Sequence, residues 1–230
     1  MTMPPLLEFR DVHKRYRQGE VEVAALRGLD LTVSAGEFTA LVGPSGSGKT
    51  TALNLAGALD VPTSGEVRLE GVSLGGQSPR ALSRLRRDRI GFVFQAYNLI
   101  PVLTAYENAE SVLALQGVPA AEREKRVMGL LAELGLTGME HRRPDQLSGG
   151  QQQRVAIARA IAANPAIVLA DEPTANLDSE TAEMLLDKML ALNRDHGVTF
   201  LFSTHDQRVV EHARRIVKLV DGKVAEDRAA

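Results

Sequence analysis

Apolar and polar positions alternate at Leu29, Leu31 and Val33, the period of a half-buried strand. The Ala35-Gly36-Glu37 turn then leads into a short, nearly continuous apolar run over 38–42, as expected for a strand buried on both faces. A glycine-rich stretch over 43–48 follows, and the pattern next predicts a helix over 50–59. Val67 and Leu69 alternate again between Gly65 and Gly71, which predicts another antiparallel strand, and 90–94 reads as a further strand. From 96 to 163 the periodicity is helical. Thr104 and Glu107 have the spacing of a capping box that opens a helix to about Gln116. A second helix is expected over 120–134, before the breakers Gly135 and Gly138, and a third over 150–163, stopping short of Pro165. Beyond it come a buried strand over 167–170, a helix over 179–196 closed by Gly197, a strand over 198–203, a short helix over 207–213 and a strand over 216–220. Strand–helix–strand order in both flanks implies an α/β fold, a parallel sheet wrapped by helices. The helical middle reads as an insertion into that fold, not as an independent domain.

Composition narrows the classes. The 230 residues are enough for one large domain with a sizeable core. The 44% hydrophobic and 24% charged fractions argue against a disordered or fibrous chain. Basic and acidic side chains number 27 and 29, so a net charge of −2 gives no general reason to expect nucleic acid or an anionic membrane as a ligand. The absence of cysteine rules out a disulfide scaffold, a Cys-ligated zinc site and a thiol nucleophile, and fits a reducing compartment. No apolar run approaches the ~18 residues of a bilayer-spanning helix. The first ten residues lack the basic-then-apolar pattern of a signal peptide, so the chain is expected to stay where it is made.

Three stretches carry chemistry. Gly43-Pro44-Ser45-Gly46-Ser47-Gly48-Lys49-Thr50 matches the phosphate-loop pattern in full. Its glycines let consecutive N–H groups turn toward phosphate oxygens, and the helix that follows aims its positive end at the same place. Lys49 brings a mobile charge for the β and γ phosphates, and Thr50 a hydroxyl for Mg²⁺. A dinucleotide fingerprint is excluded, because Thr51 occupies its third glycine position. The second stretch is the apolar run ending in Asp171 and Glu172. A parallel strand projects such residues into the crevice at its carboxyl end, where Asp171 reaches Mg²⁺ and Glu172 polarises an attacking water as general base. In the third, Leu147-Ser148-Gly149-Gly150-Gln151, Ser148 and Gln151 have capping-box spacing. Residue chemistry alone leaves two readings open there: a well-capped helix, or a second anion site formed by bare amides at a helix start.

Taken with Gln95, Asn176-Leu177-Asp178 and His205, these motifs resemble the ATP-binding subunits of ABC transporters over nearly the whole chain, in the family's order and spacing. The Phe94–Pro101 and Glu172–Ser179 stretches are similar to the lipoprotein-release and macrolide-export branch, with Ala175 where that branch usually has Gly. The resemblance implies a P-loop NTPase fold with a mostly parallel core sheet, an antiparallel β subdomain and an inserted α-helical subdomain. Residues 1–95 and 164–230 would form the core and β parts, and 96–163 the helical part. It also implies roles. Tyr16 stacks on adenine, and residues 43–51, Thr51 included, cradle the nucleotide. Gln95 contacts Mg²⁺ or the water and couples the site to a membrane partner, and His205 holds the γ-phosphate. Asp178 crosses to the partner's nucleotide site, and Ser148, Gly149, Gly150 and Gln151 face the γ-phosphate bound by another copy's Lys49. Two copies then form two composite sites, head to tail. The partners implied are a second copy and a separate integral-membrane permease, at the cytoplasmic face of a bacterial inner membrane. The arginines at 80, 84, 86, 87 and 89 have no interleaved aromatics for base stacking and read as a solvated helix face near the partner surface, not a nucleic-acid site. A soluble ABC ATPase of DNA repair or translation is the rival class, but its usual coiled coil, zinc hook or second cassette is missing. A small-molecule kinase would need neither 147–151 nor Asp178.

Overall fold

The computed structural model describes residues 4–19 and 21–229; residues 1–3, 20 and 230, which fall within the expected core and β parts, lie outside the described residues. Two sheets organise the chain. Strands β1 (Leu7–Gln18), β2 (Val21–Val33), β4 (Ser64–Leu69) and β5 (Val72–Ser73) form an antiparallel sheet in the order β2-β1-β4-β5. Strands β3 (Phe38–Val42), β6 (Ile90–Val93), β7 (Ile167–Asp171), β8 (Thr199–Thr204), β9 (Arg215–Val220) and β10 (Lys223–Ala229) form the second, in the order β10-β9-β3-β8-β7-β6. Its strands run parallel except for the β9–β10 hairpin. The helices are α1 (Lys49–Ala56), α2 (Pro79–Arg89), α3 (Ala105–Leu115), α4 (Ala120–Glu133), α5 (Gly149–Ala162), α6 (Ser179–His196) and α7 (Gln207–His212).

The expected α/β architecture is present, and the differences have local causes. β1 escapes a period-2 reading because its register slips between Phe9 and Val12, around Asp11 at a φ of 44°. Apolar positions therefore do not stay two apart. β2 runs back to Val21, well before the alternation at Leu29, because its first residues are exposed and carry no core signal. β10 is an edge strand, mostly charged and exposed, and pairs only with β9. α1 stops at Ala56, short of residue 59, and α2 forms at the arginine run, opened by the Ser78 cap and Pro79.

Side chains of the central strands alternate between two buried faces. Phe200 and Phe202 of β8, with Val168 and Ala170 of β7, pack toward α3, α4, α5 and α6; Leu201, Ile167 and Leu169 pack toward α1 and the antiparallel sheet. Phe38 anchors the first face, with ring centroids 5.4 Å from Phe200 and 4.6 Å from Phe202. Leu113, Leu131 and Ile157 of the helical segment belong to that same cluster. The 96–163 segment is therefore held to the sheet by shared apolar burial.

The parallel register positions the site. Val42 pairs with Thr204, Asp171 with Ser203, and Val93 with Ala170. The segments after β3, β6, β7 and β8 thus leave the sheet along one edge, its carboxyl edge.

Where α5 meets α6, a Cβ at Gly150 would overlap Cγ2 of Thr181, whose hydroxyl donates to Asp178 Oδ2 at 2.7 Å and so resists rotation. Gly150→Ala should destabilise the fold by about 1–3 kcal/mol, the usual range for overpacking. Thr181→Ser in the same chain removes Cγ2, keeps the hydroxyl and should restore most of the loss. Urea-denaturation midpoints of the single and double variants check this.

Candidate nucleotide site

The 43–48 loop curls over the carboxyl edge, with Gly43, Gly46 and Gly48 at φ values of 150°, 79° and 101°. Gly43 admits no side chain, because a Cβ would run into the Leu219 carbonyl of β9. α1 begins directly from Gly48 with no side-chain cap, so no side chain occupies the amides of its first turn. Lys49 is buried and its Nζ donates to the carbonyls of Gly43 (2.8 Å) and Pro44 (3.1 Å). Among the described residues no carboxylate pairs with it. A buried ammonium bound only by neutral carbonyls, beside uncapped helix amides, leaves positive potential for an anion to neutralise. Ser47 Oγ is also buried without a partner.

A cavity of about 660 Å³ opens over this loop, lined by residues 43–51, Tyr16, Gln95, Glu172 and His205. Tyr16 stands at its rim, where its hydroxyl donates to Asp60 Oδ2 at 2.9 Å and Lys14 Nζ lies 4.9 Å from the ring centre. Lys14 in turn donates to Asp60 at 2.6 Å. Burial, then the bond to Asp60, pushes the Tyr16 phenol above its ordinary pKa, so it stays neutral. Deeper in, Thr50 Oγ1 lies 3.4 Å from Asp171 Oδ1. Glu172 sits at a φ of 45°, a conformation uncommon for a non-glycine residue. Its carboxylate is held from both sides: Thr204 Oγ1 donates to Oε2 at 3.0 Å, and the His205 ring nitrogen lies 2.6 Å from Oε1. The Glu172 side chain is only 16% exposed while that of His205 is 77% exposed, so the imidazole is the more accessible member of the pair.

Residues 147–151 and Asp178 do not line this cavity. Ser148 and Gln151 form the full capping box at the start of α5, with Ser148 N donating to Gln151 Oε1 at 2.9 Å and Gln151 N to Ser148 Oγ at 3.3 Å. Asp178 caps α6 through Thr181 N at 2.9 Å, a bond that holds its carboxyl below the usual range. The structure thus gathers Tyr16, the loop, Gln95, Asp171, Glu172 and His205 at one edge and leaves the 147–151 group and Asp178 apart from it.

The sequence profile described as "ABC transporter" matches residues 26–175. The chain belongs to the ABC transporter family. This ABC chain is 50% identical over 224 residues to the lipoprotein-releasing system ATP-binding protein LolD of Anaeromyxobacter dehalogenans, an alignment covering 97% of the chain and 94% of LolD. It is 46% identical to the macrolide export ATP-binding/permease protein MacB of Hyphomonas neptunium, where the match covers 97% of this chain but only 35% of that longer protein. Among solved structures it is similar to the dimeric, ADP- and Pi-bound ATP-binding cassette MJ0796, at 44% identity and a TM-score of 0.89, over 97% of this chain and 98% of that one. LolD and MacB belong to the lipoprotein-release and macrolide-export branch that the sequence resembles, and these relatives do not favour the DNA-repair or translation reading.

Several contacts of the ABC site join residues whose pairing the sequence does not show. Asp60, in the loop between α1 and β4, meets Lys14 and Tyr16 of β1 only in the folded chain. Buried Gln153 of α5 donates to the Pro173 carbonyl at 2.7 Å, tying α5 to the turn after Glu172. The one sequence clue is its helical spacing from the apolar Ala156, Ile157 and Ala160, which puts a glutamine on the apolar face of α5. Asn176 donates to the Gln95 carbonyl at 2.9 Å. Buried Thr174 donates to Asp206 Oδ2 at 2.6 Å, and Arg208 closes on the same carboxylate at 2.7 Å. These bonds clamp the loop after Glu172 to the loop after His205.

Hydrogen bonds from Arg208, opposed by burial and aided by Thr174, bring the Asp206 carboxyl down to about 2 from an ordinary 3.8. A carboxyl depressed in the folded state stabilises it above the unfolded pKa, and that stability is lost as pH falls from about 4 toward 2. The ABC chain should lose about 2 kcal/mol over that window. Asp206→Asn should flatten this part of the profile in urea titrations between pH 2 and 7.

Proposed function

We propose that this ABC subunit binds ATP with Mg²⁺ in the cavity over the 43–51 loop, hydrolyses it to ADP and phosphate between two head-to-tail copies, and thereby works a separate membrane permease. The observation that carries the reading is the division of anion-binding parts within one chain. Lys49 and the α1 amides face the cavity, while the α5 amides and Asp178 do not line it. A second copy, turned head to tail, brings those parts to the open side of the cavity. The dimeric state of the MJ0796 cassette supports this arrangement.

Each side chain then has a task. The loop amides and Lys49 hold the phosphates, and Tyr16, fixed by Asp60 and Lys14, supports the adenine. Thr50, Asp171 and Gln95 are oxygen donors of the kind Mg²⁺ prefers. Among the described residues no cluster of three or more His, Asp or Glu forms a metal cage, so the triphosphate would complete the coordination. The metal supplies neutralisation of charge on the transferred phosphoryl group. Glu172 takes the proton of the attacking water, and Thr204 and His205 fix the carboxylate for that transfer. His205, exposed beside it, contacts the γ-phosphate. Ser148, Gly149, Gly150 and Gln151 of the second copy close over the same phosphate, and Asp178 reaches across between the two sites.

No helix of the described residues is long and apolar enough to cross a membrane. In this reading coupling to a bilayer runs through the permease, and the subunit works at the cytoplasmic face of a bacterial inner membrane. A groove of about 390 Å³, lined by Leu59, Phe92, Phe94, Leu115, Arg86 and Arg159 among others, suits a short apolar segment of that permease; Leu59 and Leu115 are 49% and 71% exposed. The work done is lipoprotein release, export of drugs or peptides, or mechanical transmission across the membrane, decided by the permease.

Glu172→Gln keeps the shape of the side chain and removes the base. It should bind ATP normally, hydrolyse it at least roughly 10²-fold more slowly, and elute as an ATP-dependent dimer in gel filtration. Near-normal turnover would overturn the role given to Glu172.

The composite site has its own test. Lys49→Ala and Ser148→Arg should each inactivate a homodimer. An equimolar mixture forms heterodimers with both lesions in one site and neither in the other, and measurable ATPase activity should return. An inactive mixture, with heterodimers demonstrated by tag pull-down, counts against independent composite sites. Full activity of Ser148→Arg alone shows 147–151 to be a capped helix and nothing more.

A further inference from the structure

The two residues that follow Ala96, Tyr97 and Asn98, both lie in the left-handed region, at φ values of 49° and 51°. Asparagine tolerates that conformation; tyrosine rarely adopts it, and two non-glycine residues in succession need outside support. The support is Arg159 of α5. Its guanidinium donates from one nitrogen to the Asn98 carbonyl and from the other to the Tyr97 carbonyl at 2.9 Å. No carboxylate pairs with it among the described residues, and burial pushes its pKa below the ordinary arginine value. A cation is held in a part-buried site for the sake of two main-chain oxygens.

What the turn touches gives that arrangement a purpose. It begins two residues beyond Gln95, whose carbonyl is fixed by Asn176. The Tyr97 hydroxyl stands over Gly149, the first residue of α5, so closely that a Cβ there would lie 2.7 Å from it. On its other side, Asn98 and Arg159 line the 390 Å³ groove. A segment entering the groove meets this pair, and through it both Gln95 and the start of α5.

We propose that Arg159 is a positioning residue for hydrolysis: its two-pronged grip holds the Tyr97–Asn98 turn left-handed, setting Gln95 at the cavity and Tyr97 against the α5 N-terminus. The inference rests on the role given above to Gln95. A planar fork spans two carbonyls where an ammonium reaches one, so lysine is not an equivalent here.

The test is steady-state ATPase kinetics on the full chain, with melting temperatures alongside. Arg159→Lys should lower kcat by about tenfold and leave KM for ATP within about twofold, because the 43–51 loop is untouched. Asn98→Gly in the Arg159→Lys background should recover kcat by about threefold or more, since glycine takes positive φ without the help of Arg159. Asn98→Val, at an exposed position, should reproduce the kcat loss because a β-branched residue resists positive φ. It decides the matter alone if Arg159→Lys does not fold. Normal kcat in Asn98→Val and in a folded Arg159→Lys, a KM that rises in step with the fall in kcat, or an Arg159→Lys defect that Asn98→Gly leaves unchanged overturns the proposal. Gln95→Ala separates the two readings. If it keeps full turnover, the Gln95 role falls and takes this proposal with it; if it loses turnover while Arg159→Lys and Asn98→Val do not, only the present proposal falls.

Discussion

The parallel pairing of β3, β8, β7 and β6 is the constraint on which the site depends. With Val42 opposite Thr204, Asp171 opposite Ser203 and Val93 opposite Ala170, the chain leaves all four strands along one edge. A shift of one residue in any pairing would send its side chains to the opposite face and move the following loop by a strand step. The register is enforced by burial. Phe200 and Phe202 must meet Phe38 on one side, and Leu201 must meet Leu41 and Leu169 on the other. The apolar core and the phosphate loop are in this sense one structure.

From that edge the loops are joined by single, specific hydrogen bonds, not by apolar packing. Thr204 and His205 fix Glu172; Thr174 and Arg208 meet at Asp206; Gln153 reaches the Pro173 carbonyl; Asn176 reaches that of Gln95. Apart from the local Arg208–Asp206 contact, each bond links segments that are distant along the chain and that the sheet has made adjacent. Such contacts are few and directional, so a change at one of them is felt at another without disturbance of the core. This is the structural basis for treating Arg159, which touches no part of the nucleotide cavity, as a partner of Gln95.

The helical segment brings a complementary limitation. It shares the buried cluster of the main sheet, which fixes the start of α5 relative to β7 and α6. That attachment leaves Ser148 and its neighbouring amides outside the cavity lining of their own chain. The proposed head-to-tail pairing builds on this arrangement: the chain has two sets of parts for a phosphate site, and the fold places them apart.

The phosphate loop, the carboxylates ending β7 and the capped start of α5 were legible in the sequence because each is local. A run of glycines, a Lys-Thr pair and a Ser–Gln spacing specify backbone turns and helix caps within a few residues. The α/β order was legible for the same reason, since buried parallel strands read as apolar runs. Strands β1 and β10 were not, one because a bulge breaks its period and the other because it is an exposed, charged edge. Nor were Lys14 and Asp60 beneath Tyr16, Thr204 beside Glu172, or Arg159 against the Tyr97–Asn98 turn. Their hydrogen-bond partners lie 32 to 62 residues away. A polar side chain's local neighbours say nothing about which distant carbonyl or carboxylate will be brought within 3 Å of it. Only the register of the two sheets and the docking of α5 decide that, because a hydrogen bond needs its partner at a definite distance and angle and the tertiary structure alone supplies both.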